Sequence, residues 1–376
     1  MIQRIACQGY KSFSQEVHVD LADVNVFFGR NNSGKTTMVR LPTYILAILS
    51  SYRFDAAHDP VLDGQRFVDV ASAEQAHPRI MTGIGWDEHY LAVTRQHISS
   101  AEEPNKVWLT HLQVDEDEST LLQSDLEDHP EQPFLVGVLS DEDQSNLHQL
   151  QQHLGFLASS VLHINSARPA IQSVYSSRES RGWVSEEVPY LLANDDLLLD
   201  EVSAWFDTML GLSGLTTQVA AFAFRLTLST GSAAINLANA GRGTQAVLPV
   251  VALLIAIVSR RVEPSLVIIE EPEAHLHPSA HGALADLIIQ ASAVTQIIVE
   301  THSENLILRM RRRIADGSMA QNRLQLTYVT EDHEVLSVAI DGQGGASNWP
   351  AGVFESDVEE ATAIMEAKLQ TMRSGH

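Results

Sequence analysis

The chain has 376 residues, 44% of them hydrophobic, which is enough for a sizeable core in one large domain or two ordinary ones. Its formal net charge of −24 disfavours tight binding to a phosphate backbone unless basic residues gather on one face. The single cysteine, Cys7, excludes an internal disulfide and is expected to be a small buried residue. No segment resembles a secretory signal or is long enough to span a bilayer, so we expect a soluble, cytoplasmic protein without membrane association.

The N-terminal part of the chain favours strands on both sides of a glycine-rich loop and a helix. Residues 2–28 alternate as short strands and end in the apolar run 24–28, and residues 37–52 have the apolar spacing of a helix. Further strands are predicted at residues 80–86, 90–94 and 107–114.

An acidic segment follows. Residues 101–150 contain 13 acidic residues and one basic residue, Lys106. We interpret this segment as part of an acidic insertion spanning about 95–158. A solvated excursion is the favoured interpretation, and a partner-docking or DNA-mimicking surface is the alternative.

The second half of the chain alternates strands with helices. A buried strand is predicted at 161–165, an amphipathic helix at 197–210 within a helical subdomain at about 170–215, and a buried helix at 246–259 with Pro249 in its first turn. Strands follow at 266–269, 296–299, 324–329 and 334–340. This alternation implies a mostly parallel sheet, in one compound domain over residues 1–354 with a helical tail at 355–376.

The glycine-rich loop at residues 29–36 fits the pattern G-x-x-x-x-G-K-[ST] without a mismatch, between an apolar strand and a helix. In such a loop the backbone N–H groups point at phosphates, and the helix N-terminus adds positive charge. Lys35 is expected to reach the β- and γ-phosphates, and the Thr36 hydroxyl to ligate Mg²⁺. The predicted nucleotide-binding residues here are Gly29, Asn31, Asn32, Ser33, Gly34, Lys35, Thr36 and Thr37.

Two adjacent acids follow the apolar strand at 266–269. Glu270, at the strand end, is predicted to hold Mg²⁺ through water. Glu271 is predicted to orient or deprotonate the attacking water, because phosphoryl transfer depends mainly on positioning. In isolation the pair could also be a solvated turn.

Two further motifs complete the set. His302 follows the strand at 296–299 and is predicted to contact a γ-phosphate or the lytic water, although a lone histidine after a strand is usually structural. The turn at 239–245 precedes the long apolar helix and is a second candidate anion site, with an ordinary capping turn as the alternative. Since one loop already serves the phosphates, we expect Gly241, Gly243, Thr244 and Gln245 to act in trans, with ATP between two protomers.

These four pieces, in this chain order, resemble the ABC-class ATPases of the RecF, SMC and OLD group. Glu-Glu-Pro-Glu-Ala-His-Leu-His-Pro at 270–278, Gly-Arg-Gly-Thr-Gln at 241–245 and Trp-Pro-Ala-Gly-Val-Phe at 349–354 are similar to the short stand-alone OLD-like AAA-type ATPases. That family's tail usually has phenylalanine where this chain has Val353.

The resemblance implies an α/β P-loop NTPase fold: an ABC-type ATPase head with an antiparallel N-terminal lobe, a parallel-sheet core and a helical subdomain. It implies ATP and Mg²⁺ as cofactors and places Lys11 and Ser12 near the nucleotide. It also implies a homodimer or higher even oligomer that senses or regulates for a separate effector, a nuclease or toxin, in a bacterial anti-phage or toxin-like system. The absence of room for a nuclease domain after His302 motivates that expectation.

The alternative function is a RecF-like DNA repair ATPase that binds duplex DNA directly. Arg309, Arg311, Arg312 and Arg313 are its best support in the sequence. Cations at the C-terminal end of a helix also interact favourably with the helix dipole, and this is the favoured interpretation of the four arginines.

Overall fold

A computed structural model of the chain describes residues 1–49, 71, 79–87, 89–97, 107–116, 119–125, 149, 152–229, 233–350 and 353. In chain order its strands are β1 (Ile2–Gln8), β2 (Val17–Asp20), β3 (Val24–Gly29), β4 (Arg79–Trp86), β5 (His89–His97), β6 (Val107–Glu116), β7 (Ser119–Asp125), β8 (Val161–Ile164), β9 (Tyr175–Ser176), β10 (Thr216–Ala220), β11 (Ala223–Ser229), β12 (Ala234–Asn236), β13 (Leu266–Glu270), β14 (Gln296–Glu300), β15 (Leu324–Val329) and β16 (Val335–Val338). Its main helices are α1 (Lys35–Leu49), α2 (Val188–Asn194), α3 (Asp196–Trp205), α4 (Arg242–Val258), α5 (Pro278–Ala291) and α6 (Glu304–Ala315).

The central sheet has the strand order β16-β15-β3-β14-β13-β8. Neighbouring strands pair in parallel from β8 through β13, β14 and β3 to β15, and the edge strand β16 pairs antiparallel with β15. Every residue of β13 and β14 is buried, which is typical of parallel strands covered on both faces. The predicted α/β fold with a parallel-sheet core is confirmed. Its strand ends gather the polar residues that follow β3, β13 and β14 at one edge.

Alternate residues of the central strands pack on opposite layers. Leu266 and Ile268 of β13 belong to the cluster formed with α1 and the N-terminal sheet. Val267 and Ile269 belong to the cluster formed with α4, α5 and α6. Residues of even number near the end of β13 therefore face α1, which is the helix that leaves the glycine-rich loop.

The N-terminal sheet is antiparallel, with the strand order β2-β1-β4-β5-β6-β7. Strands β6 and β7 lie within the predicted acidic insertion, so part of that segment extends the sheet by two strands instead of leaving it. Residues 152–159 are helical, and Leu154 and Leu157 pack against the core cluster of α1. The segments 98–106 and 126–148 of the insertion lie outside the described residues.

The helical subdomain predicted at about 170–215 contains α2, α3 and a π-helical turn, Phe206–Leu210. Beside it lies a small antiparallel sheet in which β11 pairs with β9, β10 and β12. The predicted tail at 355–376 lies outside the described residues.

Two helices begin at least two residues earlier than the sequence predicts. Helix α1 begins at Lys35, two residues early. Helix α4 begins at Arg242, so Pro249 lies inside the helix and its placement in the first turn is wrong. The reason is that the glycine turn itself forms the first turn of α4, with Gly241 as its N-cap. Among the residues described, no helix is long and apolar enough to cross a membrane.

Candidate nucleotide-binding site

The loop between β3 and α1 adopts a conformation that only particular residues allow. Asn32 has φ +64° and Gly34 has φ +100°, both in the left-handed region. A Cβ atom on Gly34 would lie 2.8 Å from the Phe13 ring, and one on Gly29 would lie 2.4 Å from the Val329 carbonyl oxygen. The two glycines of the motif are therefore required by close packing as well as by backbone conformation.

Lys35 lies across this loop. Its ammonium donates a hydrogen bond of 2.6 Å to the carbonyl oxygen of Arg30, and the residue is only 3% exposed. Burial lowers the pKa of Lys35, and the negative charges of Glu300 and Glu271 partly offset that effect. The charge of Lys35 thus lies between the loop and the carboxylates at the strand ends.

The remaining loop residues present polar groups around the same turn. The Ser33 hydroxyl is buried and has no hydrogen-bond partner among the described residues, while the ring of His333 donates to the Ser33 carbonyl at 2.9 Å. Asn31 and Asn32 are exposed, and Thr37 is half-buried. An orphaned buried hydroxyl in such a loop fits a site completed by an oxygen-rich ligand.

The structure places the predicted residues Lys11 and Ser12 in the turn after β1. The Ser12 hydroxyl oxygen lies 3.2 Å from the position of a Cβ atom on Gly34, so this turn is in contact with the loop. Lys11 is exposed, has φ +52°, and its ammonium lies 5.5 Å from the centre of the Tyr10 ring.

Two carboxylates lie side by side at the ends of β13 and β14, because Glu270 and Glu300 are register partners. The Thr36 hydroxyl donates to Glu300 Oε1 at 2.8 Å. Burial raises the pKa of Glu300, and the hydrogen bond from Thr36 opposes this rise. The sequence motifs do not identify Glu300 as a site residue, because its pairing with Glu270 depends on the strand order.

Glu270 has a different environment. Its carboxylate accepts hydrogen bonds from Arg40 at 2.5 and 2.9 Å, from His163 Nε2 at 2.8 Å and from the Ser166 amide at 3.1 Å. Burial alone would raise the pKa of Glu270, but the hydrogen bonds from His163, Arg40 and Ser166 hold it well below its usual range. Glu270 is therefore a buried, fully hydrogen-bonded carboxylate.

Glu271 follows with φ +44°, a conformation in the left-handed region. Its N–H donates to the Glu300 carbonyl oxygen at 2.8 Å, which fixes the turn against the end of β14. Arg168 donates to the carbonyl oxygens of Glu270 at 2.6 Å, Glu271 at 2.8 Å and Ala246 at 3.2 Å. Sequence reasoning missed Arg168, whose contacts are all to main-chain oxygens distant along the chain.

His302 is held by its backbone. Glu273 Oε1 accepts hydrogen bonds from the His302 N–H at 2.8 Å and from the Thr301 hydroxyl at 2.6 Å. Burial and the nearby charge of Lys35 lower the pKa of His302, which favours the neutral ring. The structure thus links the turn after Glu271 directly to the turn that carries His302.

The glycine turn at the start of α4 contacts this same region. A Cβ atom on Gly243 would lie 2.2 Å from the carbonyl oxygen of His275. Gln245 Nε2 donates to the carbonyl oxygens of Ala238 and Ala240, at 3.1 and 2.9 Å, so its side chain braces its own turn. Gly241 is exposed, with open space around it, and Thr244 is half-buried.

The four arginines of α6 are largely used within the chain. Arg309 and Arg313 both form ion pairs with Asp286, at 2.7 Å. Arg311 donates to the Gly344 carbonyl oxygen at 2.8 Å and lies 5.4 Å from the centre of the Trp349 ring. Arg312 is exposed. Two of the four side chains thus join α6 to α5, and a third binds the segment at residues 344–349.

Comparison with known proteins gives one family and several similar structures. The family described as "AAA domain, putative AbiEii toxin, Type IV TA system" matches residues 24–309. The chain is similar to an SMC head bound to the C-winged helix domain of ScpA, with a TM-score of 0.54 and 14% identity over 90% of this chain and 98% of that one. This likeness shows that the chain shares the fold of an SMC head.

Two further solved structures are similar at lower scores. One is the SMC head domain of Thermotoga maritima, with a TM-score of 0.45 and 11% identity over 90% of this chain and 99% of that one. The other is the Smc head domain of Pyrococcus furiosus with an extended coiled coil, bound to the C-terminal domain of ScpA, with a TM-score of 0.49 and 12% identity over 97% and 98%. No curated protein sequence matches the chain.

Proposed function

The chain belongs to the family of AAA domains described as putative AbiEii toxins of type IV toxin–antitoxin systems, and from this premise we propose that it binds Mg-ATP at residues 29–36 and hydrolyses it. The observation that carries the proposal is the meeting of the Lys35 ammonium, the Thr36 hydroxyl and the strand-end carboxylates at one edge of the central sheet. A P-loop site needs these groups together, because catalysis there is positioning and charge stabilisation.

The donor set suits Mg²⁺. The metal prefers oxygen ligands and is commonly held by one or two carboxylates together with substrate phosphates, and here the Thr36 hydroxyl lies against a carboxylate at 2.8 Å. Thr36 and a strand-end acid, Glu270 or Glu300, would hold the ion, which when bound neutralises charge on the phosphates. The loop amides and Lys35 would bind the phosphate oxygens.

Glu271 and His302 supply the remaining chemistry. Glu271 would orient or deprotonate the attacking water from the end of β13, where the hydrogen bond from its N–H to the Glu300 carbonyl oxygen holds its backbone. A neutral His302 can donate one hydrogen bond and accept another, which suits contact with a γ-phosphate or with that water. Glu273 holds the backbone of His302, so the two turns would respond together to the nucleotide.

We further propose that two copies close on ATP and act on a separate effector. Gly241, exposed at the N-terminus of α4, would meet the phosphates of the neighbouring protomer with Gly243, Thr244 and Gln245 behind it. The family description supports a toxin or defence setting. The contacts of Arg309, Arg311 and Arg313 within the chain give no support to direct duplex binding.

The nucleotide site is tested by two charge-removing substitutions, one in the loop and one at a surface position outside it. Lys35→Ala should weaken ATP binding by at least about 100-fold, because each hydrogen bond to a charged group contributes about 1.5–3 kcal/mol. Arg4→Ala removes an equal charge from a side chain paired with Asp20 at the surface of the N-terminal sheet and should leave affinity near that of the native protein. Isothermal titration calorimetry with ATP and Mg²⁺ measures both.

Comparison of the two variants also distinguishes a loss of ATP binding from a loss of the fold. If Lys35→Ala binds ATP as tightly as the native protein, the loop does not hold phosphate and the proposed function is wrong. Circular dichroism of both variants verifies that the fold is retained.

A further inference from the structure

Glu270 and Glu300 are the last residues of β13 and β14, and the side chain of each contacts helix α1. Their side chains lie on the same side of the sheet, because they are register partners on neighbouring parallel strands. Thr36 and Arg40 are one helical turn apart on α1, so they share a face of that helix. Thr36 contacts Glu300, and Arg40 contacts Glu270.

Glu270, the acid at the end of the apolar strand β13, already has hydrogen-bond partners on both of its carboxylate oxygens. Glu270 is 1% exposed, forms a two-pronged ion pair with Arg40, and accepts further hydrogen bonds from His163 and Ser166. A carboxylate oxygen has about two acceptor sites, and these contacts occupy both oxygens. Turning Glu270 toward a metal would break its hydrogen bonds with Arg40, His163 and Ser166.

Glu300 has fewer hydrogen-bond partners than Glu270 and lies beside the glycine-rich loop. Its Oε1 accepts from the Thr36 hydroxyl, the group expected to ligate Mg²⁺, and Lys35 is close enough to act on its charge. The residue is 4% exposed, and a buried acid of this kind is costly unless a cation or hydrogen bonds compensate its charge. A divalent ion bound beside Thr36 would supply that compensation.

Resting on the proposed Mg-ATP site, we propose that Glu300 of β14 is the metal-facing carboxylate of this protein, and that Glu270 is a positioning residue that fixes α1 through Arg40. The metal ligand set would then be the Thr36 hydroxyl, Glu300 directly or through water, and phosphate oxygens. The metal-facing carboxylate would thus belong to β14 and not to β13. Strand β14 lies next to β3, which leads into the glycine-rich loop.

The test compares the same substitution at two register partners. Mn²⁺ binding to the protein saturated with ATP is measured for the native chain, Glu300→Gln and Glu270→Gln by the electron paramagnetic resonance signal of the free ion. We expect Glu300→Gln to weaken Mn²⁺ binding by about 10–100-fold, the cost typical of losing a carboxylate that supports a metal ligand. Glu270→Gln should retain the Mn²⁺ affinity of the native protein and lower its melting temperature.

ATP affinity in EDTA provides the second measurement. Glu300→Gln should bind ATP without metal at least as tightly as the native protein, because a negative charge beside the phosphates is gone. Loss of Mn²⁺ affinity in Glu270→Gln, or unchanged affinity in Glu300→Gln, overturns the inference. Should Glu270→Gln not fold, Glu300→Gln alone decides by its Mn²⁺ affinity. A native chain that binds no ATP with or without metal would instead contradict the proposed function itself.

Discussion

Cys7 shows how fully a single side chain can be withdrawn from solvent in this fold. It is 0% exposed, on a strand between two others, and burial raises the pKa of its thiol to about 12. The expectation of a small buried cysteine is confirmed. Because the thiolate is the reactive form, this cysteine is chemically protected as long as the N-terminal sheet is intact.

Cys7 therefore reports on unfolding. At pH 8 iodoacetamide should modify the native chain at least about 1000-fold more slowly than the chain in concentrated guanidinium chloride, since an unfolded thiol has a pKa of about 8.5. Mass spectrometry after timed quenching measures both rates. Similar rates in the two conditions would mean that β1 opens readily or that Cys7 is accessible.

Among the elements, the first turn of α4 is the one whose packing depends most directly on glycine. A Cβ atom on Gly243 would overlap the carbonyl oxygen of His275, a main-chain atom that cannot turn aside. Gly241, two residues earlier, has no atom within 4 Å of its would-be Cβ and has φ −56°. The two glycines therefore differ in packing although they belong to one short motif.

Alanine substitutions at these two positions should differ in stability. Gly243→Ala should lower the free energy of unfolding by about 1–3 kcal/mol, the usual cost of overpacking a close contact. Gly241→Ala should have a smaller effect, because it meets no neighbouring atom. Urea unfolding followed by tryptophan fluorescence compares them, and an equal loss for both variants would contradict the close contact with His275.

Features that depend on neighbouring residues in the chain could be predicted from the sequence, and features that depend on contacts between distant residues could not. The strand at Leu324–Val329 and the presence of the long apolar helices follow from local apolar runs, whereas the first residues of α1 and α4 differ from the prediction. The environment of Glu270 does not, because Arg40 lies 230 positions away in the chain. Arg168 was missed for the same reason. Motif spacing located the acids, but only the strand order could reveal which acid meets Thr36.

For the whole molecule, the proposed closure of two copies predicts an assembly that depends on nucleotide. Glu271→Gln should lower ATP turnover by about 10²–10⁴-fold, the usual contribution of a general base, while the phosphate and metal ligands remain. The variant should then accumulate as an ATP-bound dimer, detected by analytical ultracentrifugation with and without ATP. Native turnover in Glu271→Gln would remove Glu271 from the mechanism, and a monomer at saturating ATP would remove the closure.

Arg168 connects two segments of the candidate site that are distant in the chain. One guanidinium ties the carbonyl oxygens of Glu270 and Glu271 to that of Ala246 in the first turn of α4. This guanidinium thus connects the segment that follows β13 with the first turn of α4. In the proposed pair, where the first turn of α4 meets the nucleotide of the neighbouring copy, we expect this connection to couple the two pockets, so that they fill and empty in step.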